Sequence, residues 1–305
     1  MSEAYLAIVN PAAGGGRSRK LLGPALDRLK KGGVEVKVAE TRRQGDATKI
    51  AREAFARGQR RFIAVGGDGT SYEVVNGLFP EALSDEAMKK GKPLLGFLPL
   101  GTGNSFLRDF SDRGVEHAIE SLLANRSQPC DVLRLKHREG EIYYINLLSM
   151  GFTADVAALR ARRFGSWGEL GYLISIFLTL ARFNRRPFPV KPEGKEDFDR
   201  RRSLFLTFNN SKFTGGTMMI APKAEVNSGK VEYVRWGPIG RVGLIRNLPT
   251  LYDGTHINHP LAENSAEQRI VFDLAEPVDV MVDGEVLTLH CQEIDVLPGA
   301  LNVVA

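Results

Sequence analysis

Residues 61–79 read Arg-Phe-Ile-Ala-Val-Gly-Gly-Asp-Gly-Thr-Ser-Tyr-Glu-Val-Val-Asn-Gly-Leu-Phe: an apolar run stopped by two glycines, then apolar residues at near-helical spacing. That order predicts a strand, a tight turn and a helix N-terminus. Gly66, Gly67 and Gly69 carry no Cβ, so the backbone of the turn can lie close against a ligand. Exposed amides and the positive end of a helix dipole suit a phosphate there. A carboxylate in such a turn repels phosphate unless it serves a cation or accepts a proton. Asp68 is therefore the first candidate for chemistry, although Gly-Gly-Asp-Gly alone can be no more than a turn.

The elements that must position this turn come in a repeating order. Tyr5–Val9 is a short buried-strand run ending in Asn10-Pro11-Ala12-Ala13-Gly14-Gly15-Gly16, and Leu21, Leu22, Ala25, Leu26 and Leu29 follow at helical spacing. This second glycine turn lacks Gly-Lys-Ser/Thr and fits Gly-x-Gly-x-x-Gly poorly. Val34–Val38 alternates like a strand and precedes Thr41, and Asp46 can cap the helix after it. Leu94–Leu98 is a fourth buried run, ending in Pro99-Leu100-Gly101-Thr102-Gly103-Asn104-Ser105. Strands alternating with helices predict a Rossmann-like parallel α/β sheet over residues 1–127. In such a sheet the turns following the strands share one edge, so the three glycine turns face one crevice.

From Gln128 the pattern changes. Residues 131–135, 142–146, 204–208, 229–234, 269–272, 278–282 and 293–296 read as strands separated by turn residues, with helical spacing between Gly165 and Phe183. The expectation is an all-β second domain over 128–305, a sandwich with inserted helices, whose last residues return to the first domain.

Composition is that of a globular protein, with 43% hydrophobic and 25% charged residues. Cys130 and Cys291 are the only cysteines, which supports neither a disulfide framework nor a zinc site. The first residues form no basic-then-apolar leader, so a cytoplasmic location is expected. The longest apolar run, Leu170–Phe183, contains Ser175, Thr179 and Arg182 and is too short to span a bilayer. Net charge is +5, and residues 156–202 hold 11 Lys/Arg against 5 Asp/Glu. A basic face of this kind fits nucleic acid, an acidic membrane surface or a phosphorylated substrate.

Taken in order, these motifs resemble the diacylglycerol kinase catalytic-domain family of lipid kinases, which includes soluble bacterial diacylglycerol kinases, sphingosine kinases and ceramide kinases. Ile8-Val9-Asn10-Pro11, Val65–Gly77, Leu98–Phe106, Gly215-Gly216-Thr217-Met218 with Ile220-Ala221-Pro222, and Val282-Asp283-Gly284-Glu285 carry the match from one end of the chain to the other. The resemblance implies transfer of the γ-phosphoryl group of Mg·ATP to a lipid hydroxyl in a cleft between an ATP-binding domain and a β-sandwich. It places Asn10, Pro11, Gly14, Thr41, Gly66, Gly67, Asp68, Gly69, Thr70, Glu73, Gly101, Thr102 and Asn104 near the nucleotide. Asp283 and Glu285 match its catalytic Asp-Gly-Glu, with Asp68 near the metal and phosphates. Phosphoryl transfer needs a carboxylate to orient or deprotonate the acceptor and a cation to neutralise charge, so the three carboxylates make chemical sense. Which of them is the base stays open, and Asp-Gly between strands is also a hairpin signal.

Many bacterial members hold a structural Mg²⁺ in an acidic turn. Here that stretch reads Glu225-Val226-Asn227-Ser228-Gly229-Lys230, a poor donor set for a hard cation, and no structural Mg²⁺ is expected at Asn227 and Ser228. The expected partners are a lipid substrate and an anionic membrane surface touched peripherally, not nucleic acid. The Trp167–Phe183 helix with its flanking arginines is the candidate for lipid access, and an exposed sandwich edge strand could pair two copies. The alternatives are an NAD kinase, which also uses Gly-Gly-Asp-Gly-Thr, and a non-catalytic lipid-binding protein on the same fold.

Overall fold

The computed structural model describes residues 4–101, 103–164, 168–182 and 185–305. The chain forms two compact units, Met1–Val132 with Leu297–Ala305, and Leu133–Val296.

The first unit is a parallel sheet with helices. Its strands are β1 (Tyr5–Val9), β2 (Val36–Glu40), β3 (Arg61–Val65) and β4 (Leu94–Leu98), in the order β2-β1-β3-β4. Residues Asn302–Val304 at the chain's end pair in parallel with Leu94–Gly96, extending the sheet beyond β4. The central strands are continuous apolar runs because both of their faces are covered: Ala7, Ile8, Phe62, Ile63, Leu95 and Leu98 are all essentially inaccessible. β2 lies at the edge and alternates Val-Lys-Val-Ala-Glu, with its lysine and glutamate in solvent. Helices α1 (Arg17–Lys31), α2 (Asp46–Ala56), α3 (Asp68–Leu78), α4 (Asp85–Lys89) and α5 (Val115–Leu123) bury one stripe each. Ala25 and Leu29 of α1, and Ile119 and Leu122 of α5, join the same core cluster as Val9, Ile63 and Leu98.

The second unit is antiparallel. β5 (Ser127–His137) carries the chain into it and forms a hairpin with β6 (Gly140–Tyr144). A six-stranded sheet then runs Ala262–Glu267, Val231–Trp236, Phe205–Asn209, β7 (Leu147–Gly151), Val278–Val282 and Glu285–Leu289. Its two faces follow the two-residue period of a strand. Phe208 meets Phe272 of the strand Arg269–Phe272 edge-on, at 5.2 Å between ring centroids, so that strand, paired antiparallel with Glu293–Asp295 and with Val190–Pro192, covers this side in a sandwich-like arrangement. Phe205 points the other way and packs with Trp236, Leu180 and Leu244 in a separate core. Helical members of that core include Leu180 of α7 (Gly168–Ala181), Leu244 of α8 (Arg241–Asn247) and Leu251 of the short helix Thr250–Asp253, while α6 (Phe152–Leu159) follows β7 directly. Of the helix expected between Gly165 and Phe183, Trp167 and Phe183 themselves lie outside the described residues. Among those residues, no helix is long and apolar enough to cross a membrane.

Candidate active site

In the first unit the strand ends and their turns meet at the carboxyl edge of the sheet. The amide of Asn10, just past β1, donates to the Val65 carbonyl at 3.0 Å, and the amide of Thr41, just past β2, donates to the Val9 carbonyl at 2.8 Å. The Gly101 amide donates to the Gly66 carbonyl at 2.9 Å, and the Asp68 amide to the Gly103 carbonyl at 3.0 Å. The turns after β1, β2, β3 and β4 are thus tied to one another by backbone hydrogen bonds, as the sequence reading expects of three glycine turns on one edge.

The glycines are required first by this packing. A Cβ on Gly101 would stand 2.7 Å from the Gly67 nitrogen, one on Gly67 would stand 2.6 Å from the Gly103 oxygen, and one on Gly14 would stand 2.7 Å from the Leu100 oxygen. Backbone meets backbone here and no side chain can yield. Gly14, Gly15 and Gly16 also take three successive left-handed conformations, at φ 62°, 65° and 89°, before α1 begins. Neither α1 nor α3 receives a side-chain cap at its N-terminus, so the ends of both helices keep the electropositive character that suits phosphate oxygens. Inside the first turn, Asn10 turns its own side chain inward and accepts the Ala12 amide at 3.0 Å, while the Asn104 side chain donates to the Gly101 carbonyl at 3.1 Å.

Asp68 is the first residue of α3. Its carboxylate accepts the Ser105 amide at 3.0 Å, and Gly66, Gly67, Ser71, Pro99, Asn104 and Phe106 line a small pocket beside it. Burial raises its carboxyl above the ordinary aspartate value, opposed by hydrogen bonds from Ser105 and the Phe106 amide. A buried carboxylate beside glycine turns is a hard oxygen donor that could hold a cation.

Glu73, one turn further along α3, faces α2 instead. Its two oxygens accept the Gly45 amide at 2.9 Å and the Ala47 amide at 3.0 Å, and its backbone carbonyl accepts the Thr48 hydroxyl. Asp46 serves the same end by accepting the Arg42 and Arg43 amides. Glu73 thus holds the N-terminus of α2 and the loop that carries Thr41. Sequence spacing alone could not place it, because the partner lies 26–28 residues away on another helix. Thr102 lies outside the described residues.

In the second unit the Asp-Gly-Glu segment is a two-residue hairpin. Val282 pairs with Glu285, and Asp283 and Gly284 both have positive φ, at 46° and 91°. The Asp283 side chain is 2% exposed and turned back beneath the sheet. Its Oδ2 accepts the Ile145 amide at 3.0 Å, and its Oδ1 accepts the amides of Asn146 and Leu147 at 3.1 and 2.8 Å. Below it lies a buried polar knot that sequence reading missed. The Asn210 side chain donates to the Ile145 carbonyl, and the Ser211 hydroxyl donates to the Asn146 side-chain oxygen. The signal was Asn209-Asn210-Ser211 at the end of an apolar strand, three polar residues with no accessible surface. Glu285 is only partly buried.

The remaining motifs are structural in this fold. His256 is buried with its ring nitrogens facing the Thr250 and Ile220 carbonyls, and burial lowers its pKa. It pins the Ile220-Ala221-Pro222 segment. In the turn at Asn227 and Ser228, the Ser228 hydroxyl accepts the Lys230 amide and donates to the Lys230 carbonyl. Among the described residues, no three His, Cys, Asp or Glu side chains gather to hold a metal.

Comparison with known proteins matches both halves of the chain. Residues 4–135 fit the family model "Diacylglycerol kinase catalytic domain", and residues 146–305 fit "YegS C-terminal NAD kinase beta sandwich-like domain". A diacylglycerol kinase of Mycobacterium tuberculosis is 28% identical over 301 residues, covering 97% of this chain and 93% of the relative. One from Bacillus subtilis is 28% identical over 285 residues, covering 91% and 88%. The crystal structure of a diacylglycerol kinase from Bacillus anthracis superposes with a TM-score of 0.71 over 99% of this chain and 96% of that one; at 21% identity this likeness speaks for the fold alone.

Proposed function

The chain belongs to the diacylglycerol kinase catalytic-domain family and is an ATP-dependent lipid kinase, and from that premise we propose that its acceptor is the free hydroxyl of diacylglycerol. The observation that carries the reading is the cross-bonded set of glycine turns on the first unit's sheet edge, with Asp68 set among them. The names of the relatives at 28% identity support diacylglycerol over the other lipid alcohols.

The chemistry follows from these residues. In this reading the phosphates of ATP lie along the turns that contain Asn10, Pro11, Gly14, Gly66, Gly67, Gly69, Thr70, Gly101, Thr102 and Asn104, with Thr41 beside them. The helix ends there supply amides to phosphate oxygens. Asp68 offers hard oxygen donors, so Mg²⁺ carried by ATP fits it, and that ion would neutralise charge on the phosphates. Glu73 acts indirectly, by fixing the loop after β2. The acceptor oxygen forms a new bond to the γ-phosphorus as the bond to the β,γ-bridging oxygen breaks, and ADP leaves. The hydroxyl proton passes to a carboxylate.

Glu285 is the better base of the hairpin pair. The Asp283 oxygens are already engaged by three backbone amides, whereas Glu285 keeps partial exposure. Asp283 then acts as the anchor that sets the hairpin. At Asn227–Ser228 no structural Mg²⁺ is held, because Lys230 and local turn hydrogen bonds take its place. The enzyme works at a membrane it touches peripherally, since its acceptor resides there.

The test is transfer from labelled ATP to diacylglycerol, monoacylglycerol, sphingosine and ceramide in mixed micelles, with NAD as a separate acceptor. Label in phosphatidic acid is expected. Label only in sphingosine or ceramide phosphate would overturn the acceptor, and NADP formed without lipid product would overturn the lipid kinase.

A further inference from the structure

In the second unit, four of the six large apolar side chains left in solvent lie on two helices. On α7, Phe177 is 65% exposed and Leu178 39%; on α8, Val242 is 63% exposed and Ile245 51%. Val242 and Ile245 are three residues apart and share a helix face. The inner sides of the same helices are core, since Leu180 and Leu244 are buried in one cluster with Trp236 and Phe205. The last residue of α7 and the first of α8 are joined. The Arg241 guanidinium donates to the Ala181 carbonyl at 2.8 Å, and Arg185 donates to the Pro238 carbonyl at 3.0 Å. Joined there, the two helices offer their outward residues as parts of one candidate surface.

Charge selects what covers it. Residues 171–186 and 237–251 contain no Asp or Glu. Arg182 and Arg246 are exposed beside the apolar residues, and neither forms an ion pair among the described residues. A second copy of this chain would bring the same arginines to the same patch and repel itself across a two-fold axis. An anionic lipid surface matches both features: apolar side chains enter the headgroup boundary and guanidinium groups stay with phosphates.

We propose that the face formed by α7 and α8, with Phe177, Leu178, Val242 and Ile245 as its apolar part and Arg182 and Arg246 as its basic part, docks the enzyme on anionic bilayers. The inference deepens the lipid-kinase reading and rests on it for its purpose, because a two-chain acceptor must be taken from a membrane. It also moves the membrane contact beyond the single helix suggested by sequence to a second one, α8, whose seven residues form no long apolar run. α8 becomes visible only where the fold sets it against the end of α7.

The test is co-sedimentation of the full chain with phosphatidylcholine vesicles, with and without phosphatidylglycerol. Two variants accompany it: Val242→Ser with Ile245→Ser, and Arg182→Gln with Arg246→Gln. Wild type is expected to prefer the anionic vesicles. The serine pair should weaken binding by at least about tenfold, and each lost arginine by about fivefold, an effect that high salt removes. Phosphorylation of dihexanoylglycerol, which dissolves without a membrane, should be kept by all three proteins. Variants that bind anionic vesicles like wild type would overturn the docking face. So would a wild-type dimer that the serine pair converts to monomer without loss of vesicle binding, since a second copy would then cover the patch. Failure of every protein on dihexanoylglycerol, with the binding pattern intact, would instead sink the kinase reading and leave the face standing.

Discussion

Asp68, Asp283 and Glu285 are three carboxylates with three different surroundings, and each surrounding predicts a different mutant. Asp68 is raised above the ordinary aspartate value because burial disfavours its charge. Its charged form therefore costs folding free energy at neutral pH; the cost is absent below the ordinary value near 3.8, where folded and unfolded chains are both protonated, and grows as pH rises toward the raised folded-state value. Asp68→Asn keeps an oxygen for the Ser105 amide and removes the charge. Activity should fall by at least about a hundredfold, while the melting temperature at pH 7 stays level or rises. In the wild type, nucleotide affinity measured against pH should fall as the carboxyl protonates, beginning above the pH at which an ordinary aspartate near 3.8 would titrate. The Asn variant should lack that limb.

Asp283 is expected to behave oppositely. Asp283→Asn sets an amide group against backbone donors, leaving a buried amide of residues 145–147 without its acceptor. A loss of about 2–4 kcal/mol in unfolding free energy should accompany any loss of activity. Glu285→Gln, on a partly exposed side chain, should lower kcat while urea unfolding is unchanged. Equal stability of Asp283→Asn and wild type would contradict the anchoring role assigned to that residue.

Among the elements, the glycine turns were legible because each follows a continuous apolar strand and each breaks on glycine. What could not be read was why so many glycines are needed. Gly101 and Gly67 serve close approach of one turn to another, a contact between residues 34 positions apart. Gly101→Ala should therefore cost about 1–3 kcal/mol of stability by overpacking and raise KM for ATP, as the turns after β3 and β4 separate. Glu73, which its motif sets near the nucleotide, also holds the start of α2 with its carboxylate. Glu73→Ala should lower stability by about 1 kcal/mol, measured by urea denaturation, with kcat less affected than KM. The Asp-Gly-Glu hairpin was legible as a turn, because both positive-φ positions carry residues that tolerate them. The polar knot beneath Asp283 was not, since strand spacing says nothing of which buried asparagine meets which amide.

For the whole molecule, the order of motifs from Asn10 to Glu285 disclosed the family because the functional turns keep one sequence order along the chain. The change from alternating helices and strands to a run of strands with inserted helices likewise disclosed an α/β unit followed by an antiparallel one. The docking face on α7 and α8 was only half legible, since exposure of Val242 and Ile245 depends on which side of a short helix the core claims. In the proposed reaction Asp68, set among cross-bonded glycine turns of a lipid kinase, is needed to pass phosphate from ATP to diacylglycerol. The most direct measurement is phosphatidic acid formation from labelled ATP and diacylglycerol micelles, by wild type and by Asp68→Asn of equal melting temperature. The account predicts product from the wild type and about one hundredth of it or less from the variant. A wild type that makes no phosphatidic acid, or a variant that makes as much as wild type, would contradict it.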